Sequence, residues 1–305
     1  MKKIIITEDT KNRHFNELKD KLKKLEKLLK KIKAPYSLND VLLAKPYKLY
    51  EIAQWSKKKI YFIPLKNEYK HSERYTFFNI NFNFINDLYN NFTKKKQEYN
   101  AYDLAKSLNV NTCPYCNINS IYTVIDENNE KIIRPEFDHF FDKATYPILA
   151  LSLYNLIPSC HQCNSNLKGK EKFDLGNYLH PYIDNIDKHI KFKIKIINAK
   201  FYHSIDGFKL EIDYLSQKAV NHNNIFKLEE RYSYLKDIIL ELIQKKYMYN
   251  EDYLESLFKK YEGTFFRNLE DLMRLVSDGY INESEINKRP LSKLIKDISE
   301  ELGLI

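Results

Sequence analysis

The sequence predicts an α+β protein in which a small metal-binding module lies between two larger regions. Stretches with the 3.6-residue period of helices are followed by short stretches in which apolar and polar residues alternate, as in strands. All four cysteines lie in the middle of the chain as two Cys-x-x-Cys pairs. We therefore expect a mainly helical region over 1–110, the metal-binding module over 111–180, and a β-hairpin with helices over 181–305.

The first strong element is an amphipathic helix over 10–33. Its apolar positions recur at steps of three and four residues: Phe15, Leu18, Leu22, Leu25, Leu29 and Ile32. Such a stripe packs on its own domain or zips against a partner helix, and the shortness of the repeat favours the first. The lysines opposite are expected to form a solvated face. The region continues with a helix over 38–57 broken near Pro46, an extended segment over 61–65, and helices over 84–92 and 93–108 that end at Asn109.

The central module is expected to contain short strands. Alternating residues on either side of a polar turn predict a β-hairpin over 119–126 and 131–139. A helical turn over 146–151, a strand over 156–158 and a helix from Cys160–Cys163 to Lys168 follow. The C-terminal region predicts a hairpin over 189–197 and 207–215, with Asp206-Gly207 at its turn, and helices over 224–248, 250–261, 265–278 and 291–303.

The cysteine pairs predict a zinc site of four thiolates, with ligands Cys113, Cys116, Cys160 and Cys163. No cysteine remains for another role. Paired thiols without a secretory signal indicate a reducing, cytoplasmic protein rather than a disulfide scaffold. No apolar run is long enough to predict a membrane span.

The charge of the chain is unevenly distributed. The formal net charge is +9, but residues 1–112 carry 24 basic and 12 acidic side chains, whereas the remainder carries 26 and 29. A basic N-terminal third suits a polyanion such as DNA. A/T-rich coding DNA also produces a lysine-rich composition, which explains the uneven charge distribution equally well.

Between the cysteine pairs lies Asp138-His139, which can supply hydrolytic chemistry. Phosphodiester hydrolysis needs an activated water and a cation on the scissile phosphate. An imidazole is a suitable general base, and a carboxylate with an amide oxygen is a hard ligand set for magnesium. Neighbouring residues of a strand face opposite ways, so the pair is expected at a strand end or a bulge.

From Cys113 to about Lys170 the chain resembles the HNH endonucleases, whose active site is a ββα-metal motif. The resemblance rests on Cys-Pro-Tyr-Cys at 113–116, Phe-Asp-His at 137–139, Tyr-Asn-Leu-Ile-Pro-Ser-Cys at 154–160 and Cys-Asn-Ser-Asn-Leu-Lys-Gly at 163–169. It implies that 111–180 is a nuclease module that cleaves DNA with Mg²⁺ or Mn²⁺. It also implies that the zinc is structural and remote from the chemistry.

The resemblance assigns roles residue by residue. His139 matches the general base, and Asp138 matches the acidic ligand of the catalytic metal. Asn155 matches the asparagine that holds the loop and positions the base. Asn164 matches the second metal ligand, although Asn166 is a rival for that role. Lys168 is a candidate for a phosphate contact or, with equal weight, a solvated helix lysine.

Two alternatives to a self-contained endonuclease remain open at this point. The module could bind nucleic acid or a protein through zinc without any catalysis. The chain could also be the nuclease subunit of a larger complex, with the 10–33 helix holding an ATPase or sensor partner. Its motif pattern is similar to nuclease components of bacterial anti-phage systems, including those paired with an ATPase.

Overall fold

The computed structural model describes residues 3–59 and 83–305, and it confirms the predicted α+β class. The predicted extended segment over 61–65 lies outside the described residues. The helices are α1 Glu8–Lys19, α2 Lys23–Lys31, α3 Leu38–Leu43, α4 Pro46–Lys59, α5 Asn83–Phe92, α6 Ala101–Leu108, α7 Gln217–Phe226, α8 Leu228–Ser233, α9 Lys236–Met248, α10 Glu251–Tyr261, α11 Leu269–Ser277 and α12 Ser292–Leu302. In this described part of the chain, no helix has the length and apolar character needed to cross a lipid bilayer.

The strands form three separate antiparallel pairs. They are β1 Val124–Ile125 with β2 Lys131–Ile133, β3 Glu136–His139 with β4 Leu156–Ser159, and β5 Ile190–Ile196 with β6 Phe208–Tyr214. The chain divides into two compact units. One contains residues 4–109 and 122–176, and the other contains residues 110–121 and 177–305 together with Lys3.

The N-terminal apolar stripe lies on two helices, so the prediction of one helix over 10–33 is wrong. Helix α1 ends at Lys19, and α2 begins at Lys23 with Leu22 as its N-cap. The stripe is nevertheless continuous, because Leu18, Leu22, Leu25 and Leu29 are all at most 3% exposed. Its apolar face therefore packs on the chain itself and is not available to zip against a partner helix.

Capping residues set the ends of the next helices. Ser37 and Asp40 form a reciprocal capping box at the start of α3, and Asn100 and Asp103 do the same at the start of α6. The second box makes α6 begin at Ala101, so the predicted helix over 93–108 is too long. Its predicted end is right, because Asn109 adopts the left-handed conformation with φ 49° that closes a helix.

The predicted hairpin over 119–126 and 131–139 is only partly right. Strands β1 and β2 pair around a turn in which the Asp126 carboxylate accepts the backbone N–H groups of Asn128 and Glu130. The second strand stops at Ile133, before Pro135, which has no N–H group to donate to a ladder. Residues 136–139 instead form β3 and pair with β4, which brings two distant parts of the sequence together.

The second unit contains the predicted C-terminal hairpin. Strands β5 and β6 pair in register from Ile190 opposite Tyr214 to Ile196 opposite Phe208. The predicted helix over 224–248 is three helices, because Lys227 adopts φ 51° between α7 and α8 and a further break precedes α9. Helix α12 packs on β5, where the Asp297 carboxylate accepts the Phe192 N–H group at 2.8 Å.

His14 of α1 is a fully buried histidine that makes stability depend on pH. Its Nε2–H donates to the Leu151 carbonyl at 2.8 Å, and its Nδ1 lies 2.9 Å from the Tyr99 hydroxyl. Burial lowers its pKa from 6.5 to about 4, against a smaller opposite effect of the bond to Leu151. The unfolded chain therefore binds a proton below pH 6.5 that the folded chain binds only near pH 4, so acidification over this window destabilises the fold.

We expect His14→Gln to flatten the pH dependence of stability between pH 6.5 and about 4. The histidine contributes a slope of up to about 1.4 kcal/mol per pH unit, which the glutamine cannot contribute because it does not titrate. The free energy of unfolding in urea, measured for both proteins at pH 7.0, 6.0 and 5.0 with zinc content checked, tests this. Parallel pH profiles would assign the acid sensitivity to other groups.

Candidate active site and metal centre

The structure brings the two predicted cysteine pairs together. The Sγ atoms of Cys113, Cys116, Cys160 and Cys163 all lie within 4.8 Å of one another, and all four side chains are buried. Four sulfur ligands at this spacing suit a tetrahedral ion, and a closed set of four thiolates is typical of structural zinc. The group can therefore bind a metal ion such as zinc.

The first cysteine pair lies on a tight loop in which a backbone N–H donates to a cysteine sulfur of the same loop. The Asn117 N–H donates to the Cys113 carbonyl at 2.8 Å, and the Ile118 N–H donates to Cys116 Sγ at 3.4 Å. Asn117 makes the turn possible by adopting φ 53°, a conformation that asparagine tolerates better than most residues. An N–H group directed at a sulfur favours the thiolate form that a metal requires.

Helices α7, α8 and α12 fix this loop from behind. The Tyr232 hydroxyl donates to the Cys116 carbonyl at 2.7 Å, and His222 Nε2–H donates to the Tyr115 carbonyl at 2.7 Å. The Leu291 N–H donates to the Asn117 carbonyl at 2.6 Å, just before α12 begins. These bonds tie three backbone carbonyls of the loop to two side chains and one backbone N–H of the C-terminal region.

The second cysteine pair stands where β4 leads into a π-helix, Gln162–Lys168. The wider turn is visible in the Gly169 N–H, which donates to the Asn164 carbonyl five residues back at 3.0 Å. Such π-turns occur often at functional sites because they redirect side chains. His161, between the cysteines, is exposed and is not a member of the sulfur group.

His139 is the last residue of β3, which places it at a strand end. Its Nε2–H donates to the Ala150 carbonyl at 2.9 Å, in the connection between β3 and β4. The ring is only 9% exposed, and the Tyr89 ring of α5 packs edge-on against it at a centroid distance of 4.6 Å. Burial lowers the pKa of His139 to about 3, against a smaller opposite effect of the bond to Ala150. The imidazole is therefore neutral at pH 7.

Asn155 holds the connection that carries the Ala150 carbonyl. Its side-chain oxygen accepts the Phe141 N–H at 2.7 Å, and its amide nitrogen donates to the carbonyls of Phe141 and Leu149 at 3.0 Å each. The side chain is fully buried. Since each of its polar atoms has a backbone partner, Asn155 ties Phe141 and Leu149 together within the loop that carries the Ala150 carbonyl.

Asp138 and Lys168 form a buried ion pair beside the histidine. Lys168 Nζ lies 2.7 Å from Asp138 Oδ1 and donates to the His139 carbonyl at 2.9 Å. Lys168 is 3% exposed, so its ammonium faces the protein rather than a phosphate or the solvent. This differs from both sequence-based expectations for Lys168, because the π-helix turns its last residue inward onto β3.

Asn164 contacts Glu136, a residue that the sequence analysis missed. Its Nδ2 donates to Glu136 Oε2 at 2.8 Å, and the same carboxylate accepts bonds from Ser165 Oγ at 2.8 Å and from His161 Nδ1 at 2.7 Å. Burial raises the pKa of Glu136, but the bonds from His161, Asn164 and Ser165 outweigh it and hold the pKa below its usual value. Asn166, the rival of Asn164, is exposed.

Of the two residues near the site that were not predicted, Glu136 has a signal in the sequence and Tyr89 has none. Glu136 precedes Asp138 by two positions on one strand, so both carboxylates belong to the same face of β3. That spacing was available in the sequence. Tyr89 lies 50 positions before His139, and nothing in the sequence connects the two rings.

The fold and the sulfur group define an α+β protein with a buried four-cysteine group that can hold a metal ion. Septu protein PtuB of Bacillus thuringiensis is 35% identical to this chain over 81 residues, which is 27% of this chain and 28% of that protein. Protein ea31 of Escherichia phage lambda is 33% identical over 97 residues, which is 31% of this chain and 28% of that protein. The match thus spans well under half the length of either relative. No protein-family profile and no solved structure matches the chain.

Proposed function

We propose that this protein is a metal-dependent endonuclease of the HNH type that hydrolyses phosphodiester bonds in DNA. The observation that carries the proposal is the setting of His139, a neutral imidazole anchored at the end of β3 beside a carboxylate. A histidine needed only for packing has no requirement for Asp138 as its neighbour. The buried sulfur group supports the same assignment, because it suits the scaffold of such a module.

The bond from His139 to Ala150 sets the tautomer of the base. Because a carbonyl can only accept, the proton must lie on Nε2, which leaves the lone pair on Nδ1. Within residues 3–59 and 83–305, Nδ1 receives no hydrogen bond from another protein group. Nδ1 takes a proton from the attacking water, and the resulting imidazolium is stabilised through Nε2–H by the Ala150 carbonyl. Asn155 keeps that carbonyl in place.

The catalytic cation would be held by Asp138 and Asn164, with Glu136 as a further oxygen donor on the same face of β3. Two carboxylates and an amide are hard ligands, so the donor set fits Mg²⁺ or Mn²⁺ and not a soft metal. When bound, the cation supplies positive charge to the scissile phosphate and the departing 3′-oxygen. Lys168 orients the Asp138 carboxylate and the His139 backbone at the same time. The products would be a 5′-phosphate and a 3′-hydroxyl.

Zinc in the four-cysteine group would be structural. The first pair lies on a loop that is hydrogen-bonded by the Tyr232 side chain of α8 and by the Leu291 N–H before α12. The second pair leads directly into the helix that carries Asn164 and Lys168. A metal held by all four thiolates has no open position for substrate. Zinc would therefore fix the helix that bears Asn164 without entering the reaction.

The similarity to Septu protein PtuB supports a role in anti-phage defence. As the motif pattern suggested, the chain would act there with an ATPase or sensor subunit. The apolar face of α1 and α2 is buried, so such a partner would have to bind elsewhere than on the leucine stripe.

We expect purified protein to cleave DNA only when Mg²⁺ or Mn²⁺ is added. The substrates are supercoiled plasmid, linear duplex, single-stranded DNA and RNA, each incubated with and without the cation, and zinc is measured in the same preparation. Products should carry a 5′-phosphate, which ligation of the recovered ends detects. A zinc-loaded, folded protein that binds DNA but cuts none of the substrates would favour a catalytically silent binding module.

A further inference from the structure

Helix α2 carries a row of lysines that have no acidic partner. Lys24, Lys27 and Lys31 lie within about 60° of one another around the helix axis, and all three are exposed. None of them forms an ion pair with any residue that the structure describes. We call these three residues the lysine face.

The other lysines of this helix are neutralised, which makes the lysine face distinct. Lys23 pairs with Asp20 at 2.9 Å, and Lys30 pairs with Glu26 at 2.6 Å. Asp20 and Glu26 thus neutralise the lysines on one side of α2. The adjacent side, which carries the lysine face, keeps its positive charge. A helix that needed lysines only for solubility would gain equally from pairing on either side.

The lysine face is rigidly mounted. On the opposite side of α2, Leu25 and Leu29 are 1% and 3% exposed, and the helix packs against α3. The lysines are therefore presented in a fixed row rather than on a mobile arm. From Lys24 to Lys31 the row extends about 10 Å along the axis. One strand of duplex DNA carries a phosphate every 3.4 Å or so along its axis, so the row can meet two or three phosphates.

The lysine face is also connected through α5 to His139, the proposed general base. Lys24 Nζ lies over the Phe84 ring of α5 at 4.7 Å. Tyr89 of the same helix, about 7.5 Å further along its axis, packs against His139. One helix thus touches both the lysine face and the ring of the proposed base, and all of these residues belong to one compact unit.

We propose that the lysine face binds the phosphate backbone of the nucleic acid that the protein cleaves, without reading its sequence. This inference rests on the proposed function, since the substrate is the polyanion named there. Each lysine releases a condensed counterion when it meets a phosphate, so binding depends on salt with a slope near 0.9 per contact.

The test compares two double variants of the full-length chain, both in the His139→Ala background so that the DNA stays intact. Lys27→Gln with Lys31→Gln removes two charges from the lysine face. Lys23→Gln with Lys30→Gln removes the same number of charges from the paired side of the same helix. Fluorescence anisotropy with a labelled 30-base-pair duplex is recorded between 50 and 300 mM NaCl, after zinc content and melting temperature show that both variants are folded.

We expect the lysine-face variant to bind about tenfold more weakly at 0.15 M salt, with a salt slope shallower by about 1.8, and the control to match its parent. Equal loss in both variants would reduce the effect to net charge and overturn the inference. The inference and the proposed function fail separately. Binding through these lysines by a protein that never cuts, even with His139 present, removes only the nuclease. Cleavage with an unchanged KM by Lys27→Gln with Lys31→Gln in the chain that keeps His139 removes only the lysine face.

Discussion

Replacing His139 by alanine is expected to lower the rate of DNA cleavage by about 10²–10⁴-fold, the usual contribution of a positioned general base. The reason is that the other histidines that the structure describes in this compact unit are already bonded elsewhere. His14 is committed to Tyr99 and Leu151, and His161 is bonded to Glu136. The initial rate of plasmid relaxation at saturating Mg²⁺ measures the effect.

The control for this variant is His203→Ala, because His203 lies on an exposed loop of the other unit. It should cleave like the parent protein. Since His139 is buried, its removal also leaves a cavity, so zinc content and the unfolding transition must be compared with those of the parent. His139→Asn retains more of the side-chain volume and should be equally inactive. Undiminished cutting by either variant, in a preparation free of host nuclease, would remove His139 from the role of base.

Much of the site could be predicted from the sequence because its parts are local. The cysteine pairs, the Asp-His pair and the asparagine before β4 are read from short motifs. The structure brings the four cysteine sulfurs together and places His139 at a strand end, as predicted. The arrangement of Asn164 could not be predicted. The direction of the Asn164 side chain depends on the π-helix. A π-helix has more residues per turn than an α-helix, which changes which carboxylate of β3 the side chain contacts.

In the fold as well, features set by neighbouring residues could be predicted, and features set by distant residues could not. The caps at Ser37 and Asn109 follow from side-chain chemistry next to the helix and were accessible to local reasoning. The separation of β2 from β3 had a local signal in Pro135, but the partner of β3 is β4, whose pairing joins residues about 20 positions apart. Breaks such as Lys227, in the left-handed conformation without glycine or asparagine, follow from tertiary packing that local propensity does not encode.

Cys113→Ser and Cys160→Ser are each expected to yield unfolded or insoluble protein without bound zinc. Structural zinc contributes about 10–16 kcal/mol to folding in small zinc modules, which is as large as the whole stability of a typical domain. Serine cannot replace the thiolate, and the three remaining buried sulfurs would be left around an incomplete site. Zinc by elemental analysis and secondary structure by circular dichroism measure the outcome.

His161→Ser is the matched control for the second pair, because it alters the residue between Cys160 and Cys163. If the ion is held by four sulfurs, this variant keeps its zinc and its fold, since His161 is exposed and lies outside the sulfur group. If His161 were a ligand in place of one cysteine, zinc would be lost in His161→Ser and retained in one of the cysteine variants. A well-folded, zinc-free Cys160→Ser protein would show instead that packing around α8 and α12 holds the module together without any metal.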